Sequence, residues 1–260
     1  QAPSEYKYQW TWDDLADLGR KLVRRGGDGR MQRAGALLAT SWDRWSIFVH
    51  NAGGSFYDRP VEPTASRLNS EPVRLALSFF QVALQSYASG AWTADNIANI
   101  PIVIGTGPSH TLNHSTEGRT YDYAFGPPPK LVRGGSENHV LGMAMSSQSQ
   151  HPEEAWRFMK FMATDAAASH TAATGRPVPW GPAAKRYQQL FPGGSEWEYI
   201  WIDIIAHPET FCRPVVPPEI PGRLNPIMQQ AIAGRLAPSV AAEMMHEQAE
   251  AILRASRNGN

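Results

Sequence analysis

The chain has a single cysteine, Cys212, in 260 residues. That excludes an intrachain disulfide framework and a multi-cysteine metal site. The lack fits the cytoplasm, and fits equally an exported protein whose core is large enough to do without disulfides. No apolar run reaches the ~20 residues that a membrane-spanning helix needs. Gln1-Ala2-Pro3-Ser4-Glu5 has neither the basic start nor the apolar stretch of a secretory leader, which says nothing about export once a leader has been removed. Net charge is also missing, because 24 basic and 24 acidic residues cancel. A neutral chain neutralises phosphates poorly, so nucleic acid is not an expected partner. The short basic cluster Arg20-Lys21-Arg24-Arg25 closes a predicted helix, where cations complement the dipole. There is no Gly-x-Ser-x-Gly elbow for a nucleophile. Gly105-Thr106-Gly107 lacks the third glycine and the lysine of nucleotide loops. His110 and His114 have a zinc-like spacing, but Pro108, Ser115 and Thr116 mark a loop and no acid stands at a third-ligand position. No metal and no other cofactor is expected.

Aromatic residues and proline are plentiful, with nine tryptophans, eight tyrosines and 21 prolines. An indole offers a flat apolar face and one donor, which suits a sugar ring as well as a core. Thr11 followed by Asp14 reads as a capping box, opening a helix with Leu15, Leu18, Leu22 and Val23 on its inner stripe. Glu71 to Tyr87 reads as a helix apolar nearly all round, and hence deeply buried. Ile100–Ile104, Tyr121–Phe125 and His139–Ser146 read as strands. The helix from Pro152 carries Glu153 and Glu154 in its first turn, then Ala155, Phe158, Met159 and Met162 at helical period. Further helices are predicted at Pro182–Leu190, Glu196–Ala206, Leu224–Ala233 and Ser239–Ala255. The last of these would turn Val240, Met244, Ala249, Ile252 and Leu253 inward. Strands interleaved with longer helices indicate an α/β class.

Several segments occur in a fixed order. They are Thr11-Trp12-Asp13-Asp14-Leu15, Asn51-Ala52-Gly53-Gly54-Ser55, Leu68-Asn69-Ser70-Glu71, Val103-Ile104-Gly105-Thr106-Gly107-Pro108, Tyr121-Asp122 with Pro127, and His151-Pro152-Glu153-Glu154-Ala155-Trp156-Arg157-Phe158-Met159. Gly175-Arg176-Pro177 and a pair of C-terminal helices follow. In this order they resemble the family-1 extracellular solute-binding proteins of ABC importers, the maltose-binding-protein type. The resemblance departs in two places: Trp92 to Asn99 lacks the family's Gly-Lys-x-Ala-Met phrase, and Ser109 stands where members often place a tryptophan.

The resemblance implies a periplasmic-binding-protein type II-like fold of two α/β lobes, of which this chain covers the second lobe and a remnant of the first. Residues 1–120 would belong to the second (C-terminal) lobe. Residues 121–172 would be the remnant of the first lobe with the hinge crossings, and residues 173–260 would return to the second lobe with the C-terminal helices. It further implies a monomer, periplasmic or extracellular and either free or lipid-anchored, that delivers a sugar or polyol to the transmembrane subunits of an ABC permease. Neither lobe alone encloses a ligand, so a chain beginning at Gln1 is expected to bind sugar weakly or not at all.

Trp42, Asp43 and Arg44 are the first candidates for the ligand site, as stacking plane, acceptor and donor. In the competing reading, Trp42 and Trp45 are core residues of a helix that Asp43 caps. Asn51 stands beside Gly53-Gly54, which serves either as a plain turn or as a close backbone approach. Ser109 and His110 follow a strand and could hydrogen-bond a ligand. Glu137 and Asn138 either accept from sugar hydroxyls or belong to a polar loop. Arg213 and Arg223 bracket a proline-rich stretch; Arg223 is the candidate from that stretch, the alternative being a solvated arginine. The rival function is a carbohydrate-active enzyme, a glycoside hydrolase with an aromatic-lined cleft. It requires two facing carboxylates, one with a raised pKa, and only Asp43, Asp122 and Glu137 loosely suggest them.

Overall fold

Thr11 starts the first helix through reciprocal hydrogen bonds. Its hydroxyl accepts from the Asp14 amide at 3.2 Å, and the Asp14 carboxylate accepts from the Thr11 amide and hydroxyl, each at 2.8 Å. These bonds hold the Asp14 carboxyl below its usual pKa. The computed structural model describes residues 10–104, 127–138, 142–167, 169 and 208–258. The predicted Tyr121–Phe125 strand and the helices at Pro182–Leu190 and Glu196–Ala206 lie outside the described residues.

Helix α1 (Trp12–Leu22) buries Trp12, Leu15, Ala16 and Gly19. The expected inner stripe is corrected at Leu18, which is 42 % exposed. Strands β1 (Arg24–Arg25) and β2 (Met31–Arg33) form an antiparallel hairpin. Strands β3 (Ala36–Leu38), β4 (Ala88–Ser89) and β5 (Ile102–Ile104) form a parallel sheet in the order β4-β3-β5. Successive side chains of a strand point to opposite faces. Accordingly, Ala36 and Leu38 enter the main core, whereas Leu37 joins Ala34, Ile97 and Ile100 on the other face. Helix α4 (Ala94–Asn99), capped by Thr93, covers that second face through Ile97.

Helices α2 (Trp42–Asn51) and α3 (Glu71–Ser86) cover the main face. Helix α2 ends in a Schellman turn. The Gly54 amide donates to Val49 O at 2.9 Å, and Gly53 has φ +87°, a conformation that glycine adopts without a Cβ penalty. The plain-turn reading of Gly53-Gly54 therefore has a structural basis. Helix α3 buries Val73, Ala76, Leu77, Phe80 and Ala83, but Leu75 and Val82 are exposed. It is thus half-covered rather than enclosed, because helices pack on one side of it only.

Strands β6 (Glu137–Asn138) and β7 (Phe211–Cys212) form a separate parallel pair. Residues 142–146 are not a strand, so the expected His139–Ser146 strand is corrected over them, residues 139–141 lying outside the described residues, and the pairing falls just ahead at Glu137. The C-terminal pair has the anticipated type with shifted limits. Helix α6 (Glu219–Ile232) begins before the predicted Leu224, because Pro221 lies in its first turn, where no amide is needed. Helix α7 (Pro238–Asn258) buries Ala241, Ala242, Met245, Ala249 and Leu253. Val240 and Met244 are exposed, contrary to the expected face. The observed face is lined with alanines, which let α7 approach its neighbours closely, so fit rather than hydrophobicity selects it.

The chain divides into two units. One comprises Gln1–Gly105, Pro127–Asn138 and Ile204–Asn260, and the other Thr106–Gly126 and His139–Asp203. The elements above belong to the first. The second contains helix α5 (Pro152–Ala163), with Pro152 at its start and Glu153 and Glu154 in its first turn, as the sequence indicates. Ala155, Met159 and Met162 are half-buried on it, whereas Phe158, expected on the same face, is 60 % exposed.

Candidate functional site

The central strand β3 delivers the chain to Thr40 and Ser41 and then into α2, whose first residues are Trp42, Asp43 and Arg44. In a parallel sheet the carboxyl edge, where neighbouring strands connect in opposite directions, is where ligands bind. The order β4-β3-β5 puts β3 at such a point, because the chain passes from β3 to β4 on one side and then returns to β5 on the other. Gln229 of α6 fixes the loop by donating from Nε2 to Thr40 O at 2.6 Å. A cleft of about 320 Å³ opens beside it, lined by Thr40, Gln85, Gly90 and Gln229.

Trp42 is half-buried. Its ring meets Trp45 edge-on at 5.7 Å and lies tilted against Phe56 at 4.8 Å. Trp45 is only 1 % exposed and forms part of the core. The two indoles thus separate into an anchor and a partly open plane.

Asp43, Glu137 and Arg213 form one network. Arg213 donates from Nη2 to Asp43 Oδ2 at 2.8 Å and to Glu137 Oε2 at 3.4 Å, and its Nε bonds Glu137 Oε1. The Arg44 Nε lies 3.7 Å from Asp43 Oδ2. The Glu137 side chain is wholly buried, while those of Asp43 and Arg213 are 27 % and 35 % exposed. Burial pushes the Asp43 carboxyl up, but the Ser41 hydroxyl and the charges of Arg213 and Arg44 outweigh it and hold the pKa below 3.8. Burial likewise opposes the charge on Arg213, and the two carboxylates more than reverse that effect. Two carboxylates and two guanidiniums thus share one neutral patch. Charged donors and acceptors at its open side can exchange bonds with the hydroxyls of an uncharged ligand.

Asn138 follows Glu137 in β6, half-buried and opposite Cys212. The structure therefore brings Trp42, Asp43, Arg44, Glu137 and Asn138 to one neighbourhood. Asn51 is elsewhere, at the far end of α2. It is 1 % exposed, donates from Nδ2 to Pro129 O at 3.0 Å, and accepts at its backbone carbonyl from the amides of Val132 and Arg133. Arg223 is exposed on α6, outside the network. Ser109 and His110 lie outside the described residues.

Arg213 is the residue that sequence reasoning passed over in favour of Arg223. The signal was its position directly after a short apolar pair, Phe211-Cys212, which becomes β7: Phe211 is paired with Glu137, and Arg213, two residues on, has the same parity along the strand. Behind the network, His50 stacks on Phe211 at 4.2 Å and donates from Nε2 to Glu209 O at 2.6 Å. Burial and the Arg133 charge lower its pKa to about 4.

The fold is shared with solved solute-binding proteins of the two-lobe type. One is the ABC substrate-binding protein Lmo0181 from Listeria monocytogenes, in complex with cycloalternan, at 16 % identity and a TM-score of 0.72 over 96 % of this chain and 64 % of that one. Another is the maltose/maltodextrin-binding domain MalE from Bdellovibrio bacteriovorus, bound to maltotriose, at 19 % identity and a TM-score of 0.71 over 93 % of this chain and 66 % of that one. A third is UgpB from Mycobacterium tuberculosis, in complex with glycerophosphocholine, at 15 % identity and a TM-score of 0.70 over 95 % of this chain and 64 % of that one. The chain therefore spans less than two thirds of the length of these structures. Among curated proteins nothing matches it. The family model of the bacterial extracellular solute-binding proteins matches residues 2–169, most of the chain, and to that family the chain belongs.

Proposed function

We propose that this chain is part of the substrate-binding component of an ABC importer, and that it captures a sugar or oligosaccharide and hands it to the permease. The observation that carries the reading is the pairing of a half-open indole, Trp42, with the neutral network of Asp43, Glu137, Arg213 and Arg44 at the carboxyl edge of the sheet. An indole face takes the C–H side of a pyranose, and charge-assisted donors and acceptors take its hydroxyls. Cycloalternan and maltotriose, bound by two of the similar structures, support a sugar as the solute. Within this reading Trp42, Asp43, Arg44, Glu137 and Asn138 form a ligand-facing surface on one compact unit. The protein acts outside the cytoplasmic membrane, as its family name describes. Its function is capture: ligand contacts made only in the closed form shift the population towards closure, and the closed form docks on the permease.

The glycoside hydrolase reading draws no support from Asp43; Asp122 lies outside the described residues. Asp43 is held ionised and paired to Arg213, whereas an acid catalyst needs a raised pKa.

Calorimetric titration with neutral oligosaccharides tests the proposal, using this chain and a version that carries a complete first lobe. The two-lobe version should bind more tightly, and Trp42→Ala in it should weaken binding by about tenfold or more. Equal affinities for the two versions, or an unaffected Trp42→Ala variant, would refute it, as would turnover of chromogenic glycosides.

A further inference from the structure

The β1–β2 hairpin holds more positive charge than its own contacts use. Arg25 is spent on Gly29 O and Ser86 O, Arg20 on Asp17 and the Tyr87 ring, and Arg30 faces Asp28. Arg24 and Arg33 remain. They are directly opposed across the antiparallel pair, so their side chains share one face of the hairpin. Like charges so placed repel unless an anion lies between them. Arg24 is exposed, and its side chain makes no hydrogen bond or ion pair among the described residues. Arg33 donates from Nη2 to Leu22 O at 3.3 Å, while its Nε is buried without an acceptor. A buried donor left unpaired costs free energy that an incoming acceptor would recover.

Both arginines line an open cleft of about 520 Å³ between the hairpin and α4. Its floor is apolar, from Ala34 and Ile100, and Gln32, Asn96 and Asn99 complete its wall, the amide groups of Asn96 and Asn99 already donating to Ala91 O and Asp95. Its one carboxylate, Asp95, already accepts from Asn99 Nδ2 at 2.8 Å. Two guanidiniums against one carboxylate leave a positive cleft in a chain whose total charge is zero. Guanidiniums bind phosphate through paired N–H···O bonds.

We propose that this cleft is a second binding site, separate from the Trp42 site, which takes a phosphate or phosphate-ester group between Arg24 and Arg33. The assignment does not depend on the sugar reading. Phosphate is titrated into the chain by calorimetry, against chloride at equal ionic strength. Saturable heat is expected, weakened by about tenfold in Arg24→Gln, where a charge-assisted contact is lost. Arg24 holds no other residue, so that variant keeps its fold, which circular dichroism verifies. Vesicles of phosphatidylglycerol and of phosphatidylcholine separate the two sources of the group. Arg24-dependent association with the anionic vesicles alone identifies a lipid headgroup, and free phosphate bound without vesicle association identifies a soluble phosphate. No saturable heat above the chloride control, or equal binding by Arg24→Gln, overturns the site.

Discussion

Arg213 Nη2 lies 2.8 Å from Asp43 Oδ2, although 170 residues separate the two in sequence. The same guanidinium bonds Glu137, so one side chain joins the start of α2, the start of β6 and the segment after β7. Replacing Arg213 by methionine leaves the buried Glu137 carboxylate without a cation and Asp43 with Arg44 alone. Breaking a wholly buried pair costs about 3–5 kcal/mol, but solvent reaches Arg213, so a loss of about 2 kcal/mol is expected in urea unfolding. Adding Glu137→Gln to Arg213→Met should recover part of that loss, because it removes the buried charge left behind. A double variant no more stable than the single one would contradict the role assigned to Glu137.

Trp42 and Trp45 are expected to behave differently under truncation. Trp45→Ala removes a fully buried indole and should cost about 4 kcal/mol of stability. Trp42 is half-buried, so Trp42→Ala should cost roughly half as much. Equal losses in chemical denaturation would mark Trp42 as an ordinary core residue and weaken its candidacy as a stacking plane.

Stability should fall with acidity in two separate windows. The His50 pKa is lowered from 6.5 to about 4, so between these values the unfolded chain binds a proton that the folded chain does not. Its contribution is therefore present above pH 6.5 and lost as the pH falls towards 4. The Asp43 pKa is lowered from 3.8, so its contribution is present above 3.8 and lost as the pH falls below it. Urea midpoints measured across pH should decline in both windows, and His50→Gln should flatten the upper one. An unchanged slope in that variant would exclude His50 as the source.

Gly35 lies against the backbone of α1. A Cβ there would meet the carbonyl oxygen of Gly19 well inside contact distance. Gly35→Ala must push α1 off the sheet and should cost roughly 2 kcal/mol. Thermal unfolding measures this directly, and a neutral result would mean that α1 yields freely.

Local chemistry was legible wherever it was self-contained. The Thr11–Asp14 capping box, the Pro152-Glu153-Glu154 helix start and the Gly53-Gly54 stop each act within one turn of backbone, so neighbouring residues suffice to specify them. The ordered segments likewise pointed to the family, because their order along the chain does not depend on how it packs. Three-dimensional packing decided which faces are buried. Leu18, Val82 and Met244 look like core residues and are exposed, whereas the alanines of α7 are buried because close approach needs small side chains.

The chain's own residues thus determined the α/β class, the neutral charge and aromatic richness of the chain, and Trp42, Asp43 and Glu137 as candidate members of the site. Only the tertiary structure decided that Arg213 joins Asp43 to Glu137. Strand pairing between β6 and β7, and the placing of both beside α2, bring together charges that lie 76 and 170 residues apart in sequence. No periodicity within a single element encodes that contact, because it arises only once the separate segments have packed.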